Sequence, residues 1–291
     1  MLILISDAFD AGLPGKLARF GEVTDDKSRL AEAEVVLIRS KTKVTKEYID
    51  QAPKLKLVIR GGVGLDNVDR EYAKTKGITV HNTAAASSIA VAELAFALMI
   101  ALPNHIARAD SSMKAGLWLK KELKRTELYG KTLSIFGMGR IGTEIAFRAK
   151  AFGMKIIGFD PYVKSHEIAE MKATLQEALG EADYVSLNMP LTDETKGMIN
   201  SASMSGCKDG VRFINTGRGK CVVEEDMVEA LKSGKVAGYA TDVWYSDPPE
   251  GSPLIAAPHV TLAPHIGAST KENLLRIGVI VEELLDEYVK K

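Results

Sequence analysis

Cysteine is nearly absent from this chain. Only Cys207 and Cys221 occur among 291 residues, they form no C-x-x-C pair, and no histidines stand beside them at metal-binding spacing. This excludes a disulfide framework and a structural zinc site, so no metal is expected and a reducing compartment, the cytoplasm, is the expected setting. An excess of one charge is missing too, because 38 basic residues balance 38 acidic ones. No net field draws such a chain to nucleic acid or to an anionic membrane, so neither is an expected partner and any anion must be held locally. Long hydrophobic runs are also lacking. The longest, from Ala90 to Pro103, carries Glu93 and reads as a buried helix too short to cross a bilayer. The opening MLILISDAF has no basic leader and meets Asp7 and Asp10 at once, so it reads as a strand and not as a signal peptide.

With 291 residues, 46% of them hydrophobic and 26% charged, the chain can bury two cores, and two domains are expected. Short β-branched runs at 2–5, 35–38, 57–59 and 78–80 alternate with charged, helix-compatible stretches, the pattern of parallel βαβ units. A polar passage around Lys120 to Arg125 separates this series from a second one. Its strands are expected at 133–136, 155–159, 184–187, 211–214, 236–240 and 260–262, the six that a full dinucleotide domain needs. One amphipathic helix, about 269–288, closes the chain.

Within the second series stands SIFGMGRIGTEIAFRAKAFGMKIIGFD, residues 134–160. A strand runs into Gly137, which permits a tight turn; Gly139 lets the main chain approach a pyrophosphate, and Gly142 lets the following helix pack close. The helix N-terminus then offers its free N–H groups to phosphates. Asp160, 18 residues past Gly142, can accept hydrogen bonds from ribose hydroxyls and would repel a 2′-phosphate, which favours NAD over NADP; Lys164 nearby softens that preference. The same spacing also occurs by chance in glycine-rich turns, but here strand, helix, second strand and terminal acid are all present.

Dinucleotide binding names no reaction, so the reacting groups are sought elsewhere. His81 and His105 stand beside helix boundaries, His166 in a polar helix and His259 before a strand, all more in keeping with structural or solvated roles. His265, in VTLAPHIG, follows a strand between a proline and a glycine, at the sheet edge where ligands of such folds gather. Arg218, in INTGRGK, leaves a strand between glycines and can fork onto a carboxylate. Each also reads, taken alone, as an ordinary structural or surface side chain.

The blocks IRSKTKV (38–44), IRGGVGLDNVD (59–69), TELYGKTLSIFGMGRIG (126–142), INTGRG (214–219), ATDVWYSDPP (240–249) and PHIGASTKE (264–272) occur in order. Through them the chain resembles the D-isomer-specific 2-hydroxyacid dehydrogenase family over essentially its whole length, and within it the branch that oxidises 3-phosphoglycerate to 3-phosphohydroxypyruvate at the entry to serine synthesis. The resemblance implies two doubly wound parallel-sheet α/β domains, Rossmann-like or flavodoxin-like. The NAD-binding domain (89–267) is inserted into a split substrate domain (1–88 and 268–291), which accounts for a glycine motif so deep in the chain.

It also implies an NAD-dependent oxidoreductase in which His265 exchanges the proton, Arg218 orients the substrate carboxylate and carbonyl, and Asp242 holds the nicotinamide side. The family's glutamate partner of the histidine is replaced by Asp247, whose shorter side chain requires the loop to move inward; Glu250 is a possible substitute. Cofactor contacts are implied for Gly137, Gly139, Arg140, Ile141, Gly142, Asp160, Met189, Pro190, Thr216, Gly217, Asp242, Gly267 and Ala268. Substrate contacts are implied for Arg39 and Arg60, which suit a phosphate or simply cap strands, and for the main-chain N–H groups of Gly61, Gly62, Val63 and Gly64. Val63 stands where a threonine is common, and NTAAASS (82–88) lacks the asparagine-rich loop of that branch.

A homodimer is implied, built through the Ala90–Pro103 helix and residues 118–128, with Lys120, Lys121, Lys124 and Arg125 either solvated or reaching the neighbour's site. The ending at Lys291 leads one to expect no serine-binding regulatory domain. Two other readings stay open: a glyoxylate or hydroxypyruvate reductase or related enzyme of the family, and a non-catalytic NAD-sensing protein like the family's corepressors.

Overall fold

The computed structural model describes residues 1–290 and divides into two compact units, Met1–Ala90 with Ala268–Lys291, and Val91–Gly267. The first holds a five-stranded sheet of β1 (Leu2–Ile5), β2 (Glu22–Thr24), β3 (Val35–Ile38), β4 (Leu57–Arg60) and β5 (Thr79–Asn82), in the order β2-β1-β3-β4-β5. Every neighbouring pair is parallel. Both faces are covered, so the central strands β1 and β3 are buried at every residue, which is why they read as unbroken apolar runs. Alternation sorts their side chains. Ile3, Ile5, Val35, Leu37, Leu57 and Ile59 enter one core, and Leu4, Val36, Ile38 and Val58 the other.

The second unit carries seven parallel strands: β6 (Thr132–Phe136), β7 (Lys155–Phe159), β8 (Glu170–Met171), β9 (Tyr184–Leu187), β10 (Val211–Asn215), β11 (Val236–Thr241) and β12 (Val260–Leu262). Their order, β12-β11-β10-β9-β6-β7-β8, reverses direction between β6 and β9. In an open α/β sheet that reversal opens a crevice at the C-terminal strand ends, where ligands bind.

The expected strands form, with ends shifted by a residue or two, and two more appear. β2 and β8 are short, partly exposed edge strands with little apolar character, which leaves no buried run to read. His166 lies in an irregular segment between β7 and β8 and not in a helix. Its Nε2 meets the Thr143 hydroxyl at 3.2 Å and its Nδ1 accepts the Ile168 N–H at 3.3 Å, a local use of a polar ring that composition alone could not distinguish from a helical one.

Three helices matter here: α1 (Ala84–Ala101), α2 (Arg140–Ala151) and α3 (Lys271–Val289). The apolar run was expected to be too short to span a bilayer, but α1 begins at Ala84, and its 18 residues are long and apolar enough by that measure. A little over half of them are buried in the protein, including Ala92, Ala95 and Met99 in the second unit's core, the position of a core helix. The division between the units falls inside this helix. α3 starts from Thr270, whose hydroxyl accepts the Asn273 N–H at 3.0 Å, and places Ile277, Val281 and Leu285 one turn apart in the first unit's core. Leu285→Ala is expected to cost about 2–5 kcal/mol of that unit's stability, read by denaturant titration; a loss below about 1 kcal/mol would mean that the site collapses around the missing side chain.

Candidate active site

The glycine turn at the β6 end has three separable roles. Gly137 is left-handed (φ 87°), and a Cβ there would stand 3.0 Å from the Asn188–Met189 main chain. At Gly142 a Cβ would lie 2.1 Å from the Gly137 carbonyl oxygen, so only hydrogen lets α2 pack onto the turn. A Cβ on Gly139 would meet nothing within 4 Å, which leaves open space before the helix. The first intrahelical bond is donated by Thr143 N to Gly139 O at 2.9 Å, so the N–H groups of Arg140, Ile141 and Gly142 precede it at the positive end of the helix. Asp160, just past β7, accepts the N–H groups of Met138 at 2.9 Å, Tyr162 at 2.8 Å and Val163 at 3.3 Å, and thereby fixes the turn. A pyrophosphate fits this arrangement: an uncluttered main-chain approach, free amides and a rigid frame.

Across the reversal, the segment after β9 lies against Gly137. Met189 is buried, and the Pro190 carbonyl accepts the Thr195 hydroxyl at 2.7 Å. The turn after β10 packs on it, with Thr216 Oγ1 donating to Asn188 Oδ1 at 3.3 Å and Gly217 so close that a Cβ would stand 2.9 Å from the Met189 carbonyl.

Arg218, Asp242 and His265 leave the C-terminal ends of the adjacent strands β10, β11 and β12. Parallel pairing thus brings to one edge three residues that lie between positions 218 and 265 of the sequence. His265 is left-handed (φ 57°), and its Nδ1 lies 2.5 Å from Asp247 Oδ2. The shorter carboxylate therefore reaches the ring, and the histidine's partner is Asp247 and not Glu250. Its loop is drawn in by Trp244, whose indole N–H donates to the Ala263 carbonyl at 3.0 Å, and by the Tyr245 hydroxyl, which donates to the Val222 carbonyl at 2.8 Å.

Asp242, 2% exposed, accepts the N–H groups of Ile266 at 2.8 Å and Gly267 at 2.7 Å. Burial pushes its carboxyl up from the ordinary range, while these two N–H groups pull the other way. Both oxygens are thus committed to the main chain just after His265, a use that the sequence did not reveal. Ala268 belongs to the first unit, and its carbonyl accepts Asn273 Nδ2 at 2.7 Å and Arg39 Nη2 at 3.4 Å.

In the first unit Arg39 follows β3 and Arg60 ends β4, where Ile38 pairs with Arg60. Burial pushes the Arg39 guanidinium down from its usual range, and the Asp7 carboxylate opposes this. Asp7 accepts the Arg39 N–H at 2.6 Å and the Thr42 hydroxyl at 2.8 Å, which shapes the loop between them. Arg60 folds over the glycine turn, its Nη1 only 1.7 Å from where a Gly62 Cβ would be. One expectation is corrected here. The Gly61 N–H donates to the Ile38 carbonyl at 2.8 Å and the Gly62 N–H to Thr83 Oγ1 at 2.9 Å, so within residues 61–64 only the N–H groups of Val63 and Gly64 can face a carboxylate. Thr83, buried at 1% exposure, carried no signal beyond its place in a small-residue loop. No cluster of metal-ligating side chains occurs among the described residues.

The family model of the D-isomer specific 2-hydroxyacid dehydrogenase NAD binding domain matches residues 96–267. Hydroxypyruvate reductase of Thermotoga maritima is 45% identical over 262 residues, covering 89% of this chain and 86% of that protein. D-3-phosphoglycerate dehydrogenase of Methanocaldococcus jannaschii is 42% identical over 266 residues, 90% of this chain and 51% of the relative, so the chain spans about half the length of that protein. The crystal structure of D-lactate dehydrogenase from Aquifex aeolicus, complexed with NAD and lactic acid, matches with a TM-score of 0.86 at 30% identity, over 100% of this chain and 96% of that one. The chain belongs to the D-isomer specific 2-hydroxyacid dehydrogenases, enzymes that act on small 2-hydroxy acids with NAD as cofactor.

The three glycines separate fold from binding. Gly142→Ala is expected to lower the melting temperature and abolish NADH fluorescence enhancement together. Gly139→Ala is expected to leave melting unchanged and weaken NADH alone; a stability loss equal to that of Gly142→Ala would contradict the open space at that position.

Proposed function

We propose that this chain interconverts a D-2-hydroxy acid and its 2-oxo acid, with His265 as the general acid and base and Arg218 orienting the substrate carboxylate and carbonyl. The observation that carries the reading is the 2.5 Å contact from Asp247 to His265 Nδ1 on the edge shared with Arg218 and Asp242. Asp247 holds Nδ1 as the N–H donor and leaves Nε2 to exchange the proton. In the oxidative direction His265 starts neutral and takes the hydroxyl proton as the C2 hydride departs; in reduction it returns that proton to the forming alkoxide. Gly137, Gly139 to Gly142 and Asp160 would hold NAD, which would supply hydride acceptance and donation when bound. Acid–base assistance of this kind contributes about 10²- to 10⁴-fold.

For the substrate we propose D-3-phosphoglycerate, oxidised to 3-phosphohydroxypyruvate. Arg39 and Arg60 at neighbouring strand ends beside the glycine turn support a phosphorylated acid, as does the likeness to phosphoglycerate dehydrogenases. A second reading, reduction of hydroxypyruvate, is supported by the Thermotoga relative, which matches over most of its own length. A homodimer and a cytoplasmic setting belong to the same proposal; exposed Ile106, Met113, Leu117 and Trp118 support the first and the scarcity of cysteine the second.

Turnover of 3-phosphoglycerate with NAD, measured beside hydroxypyruvate with NADH, separates the substrates. Arg39→Ala and Arg60→Ala are each expected to cut kcat/KM for the phosphorylated acid by about 10- to 100-fold, the worth of a charge-assisted hydrogen bond, and to spare the plain acid; equal losses on both would remove the phosphate assignment. Asp247→Asn is expected to lower kcat about 10²-fold with NADH affinity retained, and undiminished turnover would take the pair out of the mechanism.

A further inference from the structure

The turn that carries Arg218 is held by a side chain outside the chemistry so far. Asn215 ends β10 and is completely buried. Its Oδ1 accepts the Gly217 N–H at 3.1 Å, and its Nδ2 donates to the Arg218 carbonyl at 3.0 Å and to the Tyr239 hydroxyl at 3.2 Å. Its main-chain carbonyl accepts the Asp242 N–H at 3.0 Å and the Thr241 hydroxyl at 3.3 Å. An amide offers an acceptor on one edge and two donors on the other. Neither a carboxylate nor an apolar side chain of this size satisfies both the Gly217 N–H and the Arg218 carbonyl.

The turn has little room to settle differently. A Cβ at Gly217 would stand 2.9 Å from the Met189 carbonyl, and one at Gly219 would stand 2.4 Å from the Trp244 main chain. Within those walls the peptide groups flanking Arg218 take their direction from the amide of Asn215. The same residue is tied through its carbonyl to Asp242, whose carboxylate grips the main chain after His265.

We infer that Asn215 is a positioning residue: its buried amide fixes the main chain at 217–218, and so sets the direction in which the Arg218 guanidinium leaves the sheet edge. The inference rests on the reading of Arg218 as the substrate-orienting group. A misplacement of about 1 Å at such a group costs on the order of 10²-fold in rate.

The test is a mutant cycle on kcat/KM for hydroxypyruvate with NADH, using Asn215→Ser, Arg218→Ala and the double variant, with folding followed by circular dichroism. Asn215→Ser is expected to lose about 10²-fold, and to cost nothing further once Arg218 is alanine, because residues that act as a unit are not additive. Losses that multiply in the double variant, or an Asn215→Ser rate within about threefold of the parent, well short of that loss, would overturn the inference. If Arg218→Ala keeps full turnover, it is the reading of Arg218 that fails. Should Asn215→Ser not fold, Asn215→Asp carries the same expectation, since it keeps the shape and the Gly217 acceptor and loses both Nδ2 donations. A crystal structure of whichever variant folds provides a reading independent of substrate: the guanidinium carbon of Arg218 is expected to shift, and its superposition on the parent position would refute the role.

Discussion

Parallel strand pairing is the constraint on which the second unit depends. When every strand runs the same way, every C-terminal end opens on the same edge, and whatever follows a strand is delivered there regardless of its distance in sequence. Gly137, Asn188, Thr216, Asp242 and the segment leading to His265 follow β6, β9, β10, β11 and β12. The reversal of strand order between β6 and β9 adds a crevice to that edge. Nothing in this arrangement requires the reacting groups to be neighbours in the chain. It requires only that each strand stop at the right height.

Stopping height is set by polar side chains bonded to the main chain, two of them, Asn215 and Asp242, buried. Asp160 pins the glycine turn, Asn215 the Arg218 turn and Asp242 the main chain after His265, each by accepting or donating to main-chain groups. Such groups are costly to bury unless fully used, and once used they are costly to disturb. This division of labour explains why Asp242, identified through its family likeness as a cofactor contact, presents both oxygens to its own chain.

Much of this was legible beforehand because its signals are periodic or steric. Unbroken apolar runs such as VVLI and TLSIF mark strands covered on both faces, and the glycine spacing at 137, 139 and 142 reports two close approaches, at 137 and 142, around one open position at 139. Edge strands β2 and β8 escaped because pairing, not burial, defines them. The early start of α1 escaped because its first turns, AAASSI, look like a loop when only bulky side chains are counted. Hydrogen-bond commitments left no trace in spacing. Nothing in GGVG tells which of its amides are already spoken for, and nothing in INTGRG distinguishes the asparagine that shapes the turn from the arginine it displays.

The aspartate at 247 has a wider implication. An acid one methylene shorter than the family's glutamate still meets the imidazole because Trp244 and Tyr245 draw the surrounding chain inward. Side-chain length and backbone path are thus exchangeable coordinates of one geometric requirement, and each is meaningful only with the other. Grafting a longer acid into this protein, or this aspartate into a relative with a wider loop, would spoil the spacing from opposite directions, so the unit that can be transplanted between family members is the whole segment from indole to carboxylate.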